Sequence, residues 1–256
     1  MIHATAIVDP GASLAAGVSV GPYSVIGHGV AVGEGTSIGA HVVMHGRTRI
    51  GAGNKIHSFC SIGDAPQDKK YAGESSRLEI GHGNVIREFC TLNRGTTGGG
   101  GVTRIGDDNW IMAYVHVAHD CAVGSHTVMA NATTLAGHVT VDDYASFGAL
   151  TVVHQFCRIG AHAFSAMGSV LLKDVPPFVT VAGNFAVPHG LNVEGLQRRG
   201  FDPAVIRALR SAYKTIYKRG LALEQALDEL AGPAADMPEI TLLRDFILGS
   251  RRGIVR

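Results

Sequence analysis

Every sixth residue over the first two-thirds of the chain is apolar, and that spacing restricts the possible folds more than any other feature. Counting from Ile2, the series runs Val8, Leu14, Val20, Ile26, Val32, Ile38, Met44, Ile50, Ile56 and Ile62. It fails at Asp68 and Glu74, then returns in phase at Ile80, Ile86 and Leu92. The Gly-rich stretch 98–101 shifts the frame by one, and the series resumes from Ile105 through Val117, Val123, Leu135 and Val153 to Leu171. Only Ser165 among the 26 slots is not apolar.

An α-helix repeats every 3.6 residues and a strand every two, so neither alone gives a period of six. Six residues fit a short flat strand plus a corner. Three such sides close a triangular coil of 18 residues, and coils stack at a strand spacing of ~4.8 Å. Glycine recurs immediately after the apolar slot, at Gly21, Gly27, Gly33, Gly39, Gly51, Gly63, Gly81, Gly106, Gly124, Gly148 and Gly160. That phase is expected to be a backbone turn that a Cβ would hinder. Aromatic residues make up only 6% of the chain while glycines number 34, as a tightly turning repetitive backbone requires. The two frame breaks are expected to be loops leaving the coil, Asp64 to Glu79 and Asn93 to Arg104.

The hexad frame ends after Asp174-Val175-Pro176-Pro177. Asp202-Pro203 reads as an N-cap followed by proline at the first helical position. Val205, Ile206, Leu209, Ala212, Tyr213, Ile216 and Tyr217 follow at helical spacing, with Gly220 as the stop. Leu221 to Ala231 and Pro238 to Leu248 read as two more helices. Two domains are therefore expected, a parallel β-helix over 1–190 and a helical domain over 191–256. Residues 192–256 hold 11 Lys and Arg against 8 Asp and Glu, a modestly positive segment that could receive an acidic partner or be an ordinary solvated helical face.

The histidines gather. His116-Val117-Ala118-His119-Asp120 lies around one slot, His138 follows Gly137, and His154 precedes Gln155. Eighteen residues on from His119 is Gly137, and eighteen further is Gln155; eighteen on from Asp120 is His138. These residues should stack in two adjacent columns on one edge of the prism. That set suits acyl transfer without a covalent intermediate. An imidazole near neutral pKa can take a proton from an attacking hydroxyl. A neighbouring carboxylate can orient the ring, and a glycine N–H one coil away can face an oxyanion. His119 is the expected base, Asp120 its orienting partner and the Gly137 amide the oxyanion donor, with His116, His138 and His154 positioning substrate. Cys60, Cys90, Cys121 and Cys157 all sit four residues after a slot, as a second inward ladder would. Cys121 and Cys157 lie two coils apart, ~9.6 Å, too far for a disulfide. Covalent catalysis by Cys121 is the lesser alternative.

Formal net charge is +1, which implies no general affinity for nucleic acid or a membrane surface. The N-terminus lacks the basic and apolar regions of a signal peptide, no apolar run spans a bilayer, and isolated cysteines suit a reducing compartment. The cytoplasm is the expected location.

The repeat resembles the left-handed parallel β-helix of hexapeptide acyltransferases over residues 1–190, and the handedness comes from that resemblance. Six motifs narrow it: Gln67-Asp68-Lys69-Lys70-Tyr71-Ala72-Gly73, Arg94-Gly95-Thr96, His116 to Cys121, Leu135-Ala136-Gly137-His138, His154-Gln155-Phe156-Cys157, and Asn192-Val193-Glu194-Gly195-Leu196-Gln197-Arg198-Arg199-Gly200. In this order they resemble the UDP-N-acetylglucosamine O-acyltransferases, which begin lipid A assembly. The related N-acyltransferases carry an N-terminal domain that a repeat starting at Ile2 leaves no room for.

The resemblance implies a homotrimer with sites between neighbouring prisms. It also implies transfer of a 3-hydroxyacyl chain from acyl carrier protein to the glucosamine 3-hydroxyl of UDP-N-acetylglucosamine, with no cofactor. By motif, His119 is then the base and Gly137 the oxyanion amide. Asp68 and Lys70 contact the sugar side, while Gln155 belongs with the substrate-binding residues. Asn192, Glu194, Arg198, Arg199 and His154 meet the nucleotide and phosphates, where a planar guanidinium suits pyrophosphate. Two positions depart from the pattern. Asn93 stands where a histidine is expected before Arg-Gly-Thr, which leaves a 3-hydroxyl or a 3-amino acceptor open. Met167 stands where long-chain members have glycine, which implies an acyl pocket stopped short at roughly ten to twelve carbons. Three other classes remain open: a zinc enzyme resembling γ-class carbonic anhydrase through His116, His119 and His138, a non-catalytic scaffold, and an acetyl-CoA-dependent hexapeptide enzyme.

Overall fold

The computed structural model describes all 256 residues. Short strands, mostly of two residues ending on an apolar slot, build three sheets of nine, eight and ten strands, parallel throughout except for the last strand of the third. Face 1 begins at Ile7–Val8, face 2 at Ser13–Leu14 and face 3 at Ser19–Val20. Each strand pairs with the strand one coil on: Ile7 with Val25, Val25 with Val43, and His116 with Thr134. The slots point inward and form one continuous core. Ser165 is buried with them, and its hydroxyl pairs with Thr151 Oγ1 at 3.0 Å.

The cysteine phase is a second inward ladder: all four thiols are free and buried. A third ladder is polar. Asn54, Asn84, Asn109 and Thr127 are buried on successive coils, and each asparagine Oδ1 accepts the backbone N–H of the next.

The glycines after the slot differ from expectation. Among those eleven only Gly63, where the first excursion leaves the coil, has a positive φ; elsewhere the left-handed residues come two positions later, at Tyr23, His41, Phe59, Tyr114, Asp120 and His138. What excludes a side chain after the slot is the neighbouring coil. A Cβ on Gly33 would stand 2.5 Å from the Gly51 carbonyl carbon, and one on Gly21 2.6 Å from that of Gly39. The left-handed corner itself accepts bulky residues because their side chains point outward.

The excursions fall where the frame breaks, but they are shorter than expected. Four-residue strands Ser61–Asp64, Arg77–Ile80 and Val102–Ile105 extend the sheets into both breaks. The irregular segments are therefore 65–76 and 94–101. Ser61 pairs with Thr91, and Thr91 with His116, so both excursions leave between coils that remain in contact.

The prism closes with Val179–Ala182, against which Val187–Leu191 returns antiparallel. Five helices follow: α1 (Val193–Arg198), α2 (Pro203–Tyr217), α3 (Leu223–Glu229), α4 (Ala231–Asp236) and α5 (Pro238–Leu248). Asp202 caps α2 as expected, accepting from the Ala204 N–H at 2.6 Å. The sequence did not announce α1, and Leu221–Ala231 is a shorter helix followed at once by α4. The helices pack around Leu196, Ile206, Leu209, Leu243 and Phe246, while Tyr213 and Val255 plug the end of the prism core. No helix is long and apolar enough to cross a membrane.

Candidate active site

Residues 118–121 make the corner between faces 1 and 2, and the expected columns form there. His119 lies over Gly137, and the Asp120 column continues into His138, whose ring stacks on Phe156 at 4.4 Å. His119 Nδ1 bonds Asp120 Oδ2 at 2.8 Å. A carboxylate accepts, so Nδ1 carries the proton and Nε2, which has no partner in the chain, presents a lone pair. The His119 side chain is 14% exposed and that of Asp120 is fully buried.

Asp120 is held from several sides. Its Oδ1 accepts the Thr96 N–H at 2.8 Å, its Oδ2 accepts the Thr96 hydroxyl at 2.6 Å, and its own N–H donates to Thr103 Oγ1 at 2.8 Å. Thr96 and Thr103 belong to the second excursion and its flanking strand, so this loop returns to the corner and covers the carboxylate. Sequence arithmetic missed both threonines, because the insertion breaks the 18-residue rule.

Gly137 has a specific reason to be glycine. A Cβ there would stand 2.7 Å from His119 Cε1 and 2.8 Å from Nε2. The neighbouring N–H groups of Ala136 and His138 donate to Val153 O and His119 O, whereas that of Gly137 has no partner in the chain. His116, on face 1, pairs through Nδ1 with Thr91 Oγ1 at 2.7 Å. Burial lowers the pKa of both His116 and His138; for His138, Asp120 at 3.7 Å opposes the shift. Neutral rings are therefore favoured at both. Burial pushes the Cys121 thiol up to about 12 and the side chain points into the core, which argues against a thiolate nucleophile. The donor group drawn together is His119, Asp120 and His138, within 4.8 Å of one another. His116 is not in it, so the three-histidine zinc set is not assembled.

The other expected residues occupy three separate places. Asp68 and Lys70 lie in the first excursion, where Asp68 Oδ1 accepts the Lys70 N–H at 3.0 Å. Arg94 ties that loop to the coil through Gly63 O and the Tyr71 hydroxyl, both at 2.9 Å. Asn93 is buried and donates to Ala65 O at 2.8 Å, while its Oδ1 has no partner. His154 and Gln155 continue the corner, and His154 Nδ1 lies 3.3 Å from the Arg252 guanidinium.

Asn192, Glu194, Arg198 and Arg199 sit across the prism. With Val128, Ser146, Phe164 and Thr180 they line a groove of about 850 Å³ on face 3, opposite the His119 corner. Asn192 caps α1 through Gly195 N, and its amide donates to His162 O. Glu194 pairs with Arg198 at 3.4 Å, and Arg199 stacks on Tyr144 at 4.3 Å. Met167 is exposed on the third corner, between faces 3 and 1.

Comparison with known proteins decides the family. The acyl-[acyl-carrier-protein]–UDP-N-acetylglucosamine O-acyltransferase of Thiobacillus denitrificans is 58% identical over 255 residues, covering 100% of this chain and 99% of its own. The chain belongs to the UDP-N-acetylglucosamine O-acyltransferase family. The namesake of Janthinobacterium sp. is 56% identical over 260 residues, with the same coverage. Residues 174–255 match the family model described as UDP N-acetylglucosamine O-acyltransferase, domain 2, and residues 103–137 match the bacterial transferase hexapeptide model. Two solved enzymes superimpose along the whole chain. The UDP-N-acetylglucosamine acyltransferase of Francisella novicida has a TM-score of 0.98 at 42% identity, covering 94% of that chain. The O-acyltransferase of Moraxella catarrhalis has a TM-score of 0.97 at 44% identity, covering 99%. The coil of this acyltransferase is thus the left-handed parallel β-helix of the family, with the helical domain expected after it.

Proposed function

We propose that the protein transfers a 3-hydroxyacyl chain from acyl carrier protein to the glucosamine 3-hydroxyl of UDP-N-acetylglucosamine, the first step of lipid A assembly. The observation that carries the mechanism is the His119–Asp120 pair, with a free Nε2 lying against Gly137. His119 Nε2 removes the hydroxyl proton as the sugar oxygen attacks the thioester carbonyl. The oxyanion that forms faces the unpartnered Gly137 N–H. Collapse expels the carrier thiolate, which takes the proton back from the imidazolium. Asp120 keeps the proton on Nδ1 and balances the charge of the ring.

Asp68, Lys70, His116, His138 and Gln155 serve the sugar and acyl side. His154, Asn192, Glu194, Arg198 and Arg199 serve the nucleotide and its phosphates. One chain holds the His119 corner and the face 3 groove on opposite sides, so a complete site requires a second copy. The outward residues support packing through faces 1 and 3. Face 1 shows Ile7, Val25, Val43 and Val152 and face 3 Val85, Trp110, Val128 and Phe164, whereas face 2 carries Arg49, Glu79, Arg104 and Arg158. The corner that faces 1 and 3 share bears a stacked ladder of Tyr23, His41, Phe59, Phe89 and Tyr114, with centroids 4.9–5.2 Å apart. Three copies with that corner on the axis would cover the ladder and join each His119 edge to a neighbour's groove. Met167, on the same corner, then limits the acyl chain.

The test is mass spectrometry of the purified protein with UDP-N-acetylglucosamine and a mixture of 3-hydroxyacyl carrier proteins. A single acylated nucleotide sugar is expected, and His119→Ala should lower its rate by roughly 10³-fold. Full activity in His119→Ala would overturn the mechanism, and no product from any donor would overturn the function.

A further inference from the structure

We propose that Thr96 is a positioning residue of the acyl-transfer site, acting on His119 through Asp120. The inference rests on the His119 base described above and extends it to the second excursion. Asp120 has φ +60°, as the other left-handed corner residues do, so the coil fixes its backbone and leaves its side chain to be fixed by contacts. Its side chain is fully buried and meets three donors. Thr96 supplies two of them, one to each carboxylate oxygen, and His119 Nδ1 supplies the third to Oδ2. The Thr96 hydroxyl and the imidazole therefore share one oxygen. The two contacts from Thr96 fix the carboxylate plane, and the plane fixes the direction in which Oδ2 receives the His119 N–H.

The loop is shaped for this contact. A Cβ on Gly99 would overlap the Asp120 carboxyl group, and one on Gly95 would stand 2.8 Å from Asp120 Oδ1. Glycine at both positions lets the backbone close over the carboxylate. Thr103, at the far end of the same excursion, takes the Asp120 N–H. The insertion that breaks the hexad frame is thus a clamp on the group that orients the base.

The clamp also sets how much of the carboxylate charge the imidazole feels. A hydroxyl donating to Oδ2 draws charge away from the His119 contact. Removing it leaves that oxygen more basic and stabilises the imidazolium, so the base should protonate at higher pH.

Thr96→Val keeps the shape and the backbone N–H but removes the hydroxyl. Rates and pH profiles would be measured for the wild type, Thr96→Val, Thr96→Ser, Gly99→Ala and His119→Ala, with thermal unfolding of each. Thr96→Val is expected to lower kcat by roughly tenfold to a hundredfold, with KM for UDP-N-acetylglucosamine nearly unchanged. The acidic limb of its kcat profile should move to higher pH, and Thr96→Ser should restore both rate and limb. Should Thr96→Val fail to fold, Gly99→Ala displaces the same carboxylate and carries the test, with the same split between kcat and KM. A wild-type kcat and an unmoved limb in Thr96→Val, with His119→Ala inactive, would overturn the clamp and leave the base in place. Loss of rate without movement of the limb, unrescued by serine, would reduce Thr96 to a structural role. An active His119→Ala would instead remove the base on which the clamp acts.

Discussion

Gly137 and His119 are in such close register that residue 137 cannot carry a side chain without moving the ring: its Cβ would stand 2.7 Å from Cε1. Gly137→Ala keeps the backbone N–H and changes only this contact. We expect kcat to fall by roughly a hundredfold, the scale of losing one oxyanion contact or its alignment with the base. Thermal unfolding should move little, because the ring can turn toward solvent. Steady-state kinetics beside a melting curve separates the two effects, and unchanged kcat would deny the contact a role.

Two kinds of glycine should respond differently to alanine. At Gly33 the added Cβ meets backbone of the adjacent coil, 2.5 Å from a carbonyl carbon and 2.7 Å from an amide nitrogen. Neither can withdraw without separating the coils, so Gly33→Ala should cost about 2–3 kcal/mol. At Gly53 φ is +69° and nothing lies within 4 Å, so only the conformational penalty of about 1 kcal/mol remains. Unfolding midpoints of the two variants would rank them, and equal losses would refute the close-approach explanation.

Acid should weaken the fold through His162. The ring lies between Tyr144 and Phe178, its Nδ1 is buried without a partner, and burial followed by the Arg199 charge lowers its pKa to about 4, with Asp143 opposing. In the unfolded chain a histidine titrates near pH 6.5. Between about pH 6.5 and 4 the unfolded chain therefore binds a proton that the folded one refuses, and stability falls as pH falls. His116 and His138, shifted in the same direction, add to the slope. Corner positions already accept phenylalanine at Phe59, Phe89 and Phe156 with similar positive φ. His162→Phe should therefore fold, and it should lose less thermal stability than the wild type between pH 7 and 4.5. An identical pH slope in both proteins would contradict this.

Cys121 should be dispensable for chemistry. Its side chain is 1% exposed and its thiol is held protonated by burial. Cys121→Ala should retain acyl transfer within a few fold and lose about 1 kcal/mol of stability from one missing buried group. Native protein at pH 8 should resist thiol-alkylating reagents until unfolded. Rapid alkylation with loss of activity would reopen the covalent route.

Met167→Gly should lengthen the preferred acyl chain at little cost to stability, since Met167 is 74% exposed in the single chain. Competition among carrier proteins loaded with different chains reads this out, and an unchanged preference would assign the length limit elsewhere.

The coil and its main cluster were legible because their information is periodic. Adding 18 to His119 or Asp120 places Gly137 and His138 correctly, since no insertion separates those coils. The same arithmetic could not find Thr96, which reaches Asp120 across an insertion. The recurrent glycines were visible, but the sequence alone did not distinguish a turn from a close approach, and the structure assigns them to the latter. Helix α2 was readable from Asp202-Pro203 and its apolar spacing, whereas the six-residue α1 is too short to show a period. The motif resemblance named Asn192 and Arg199 without revealing that they lie across the prism from His119, because that separation arises only when the coil is closed.

The stacked coils also quantise the molecule along its axis. Length can change by one whole turn of 18 residues without disturbing any corner, face or ladder, and each turn adds ~4.8 Å. The height of the α1 groove above or below the histidine corner is therefore set in integer steps by the number of turns between Asp120 and Val179. If neighbouring copies complete each other's site, adding one turn there would put every copy out of step with the next, leaving each prism well folded and the enzyme silent.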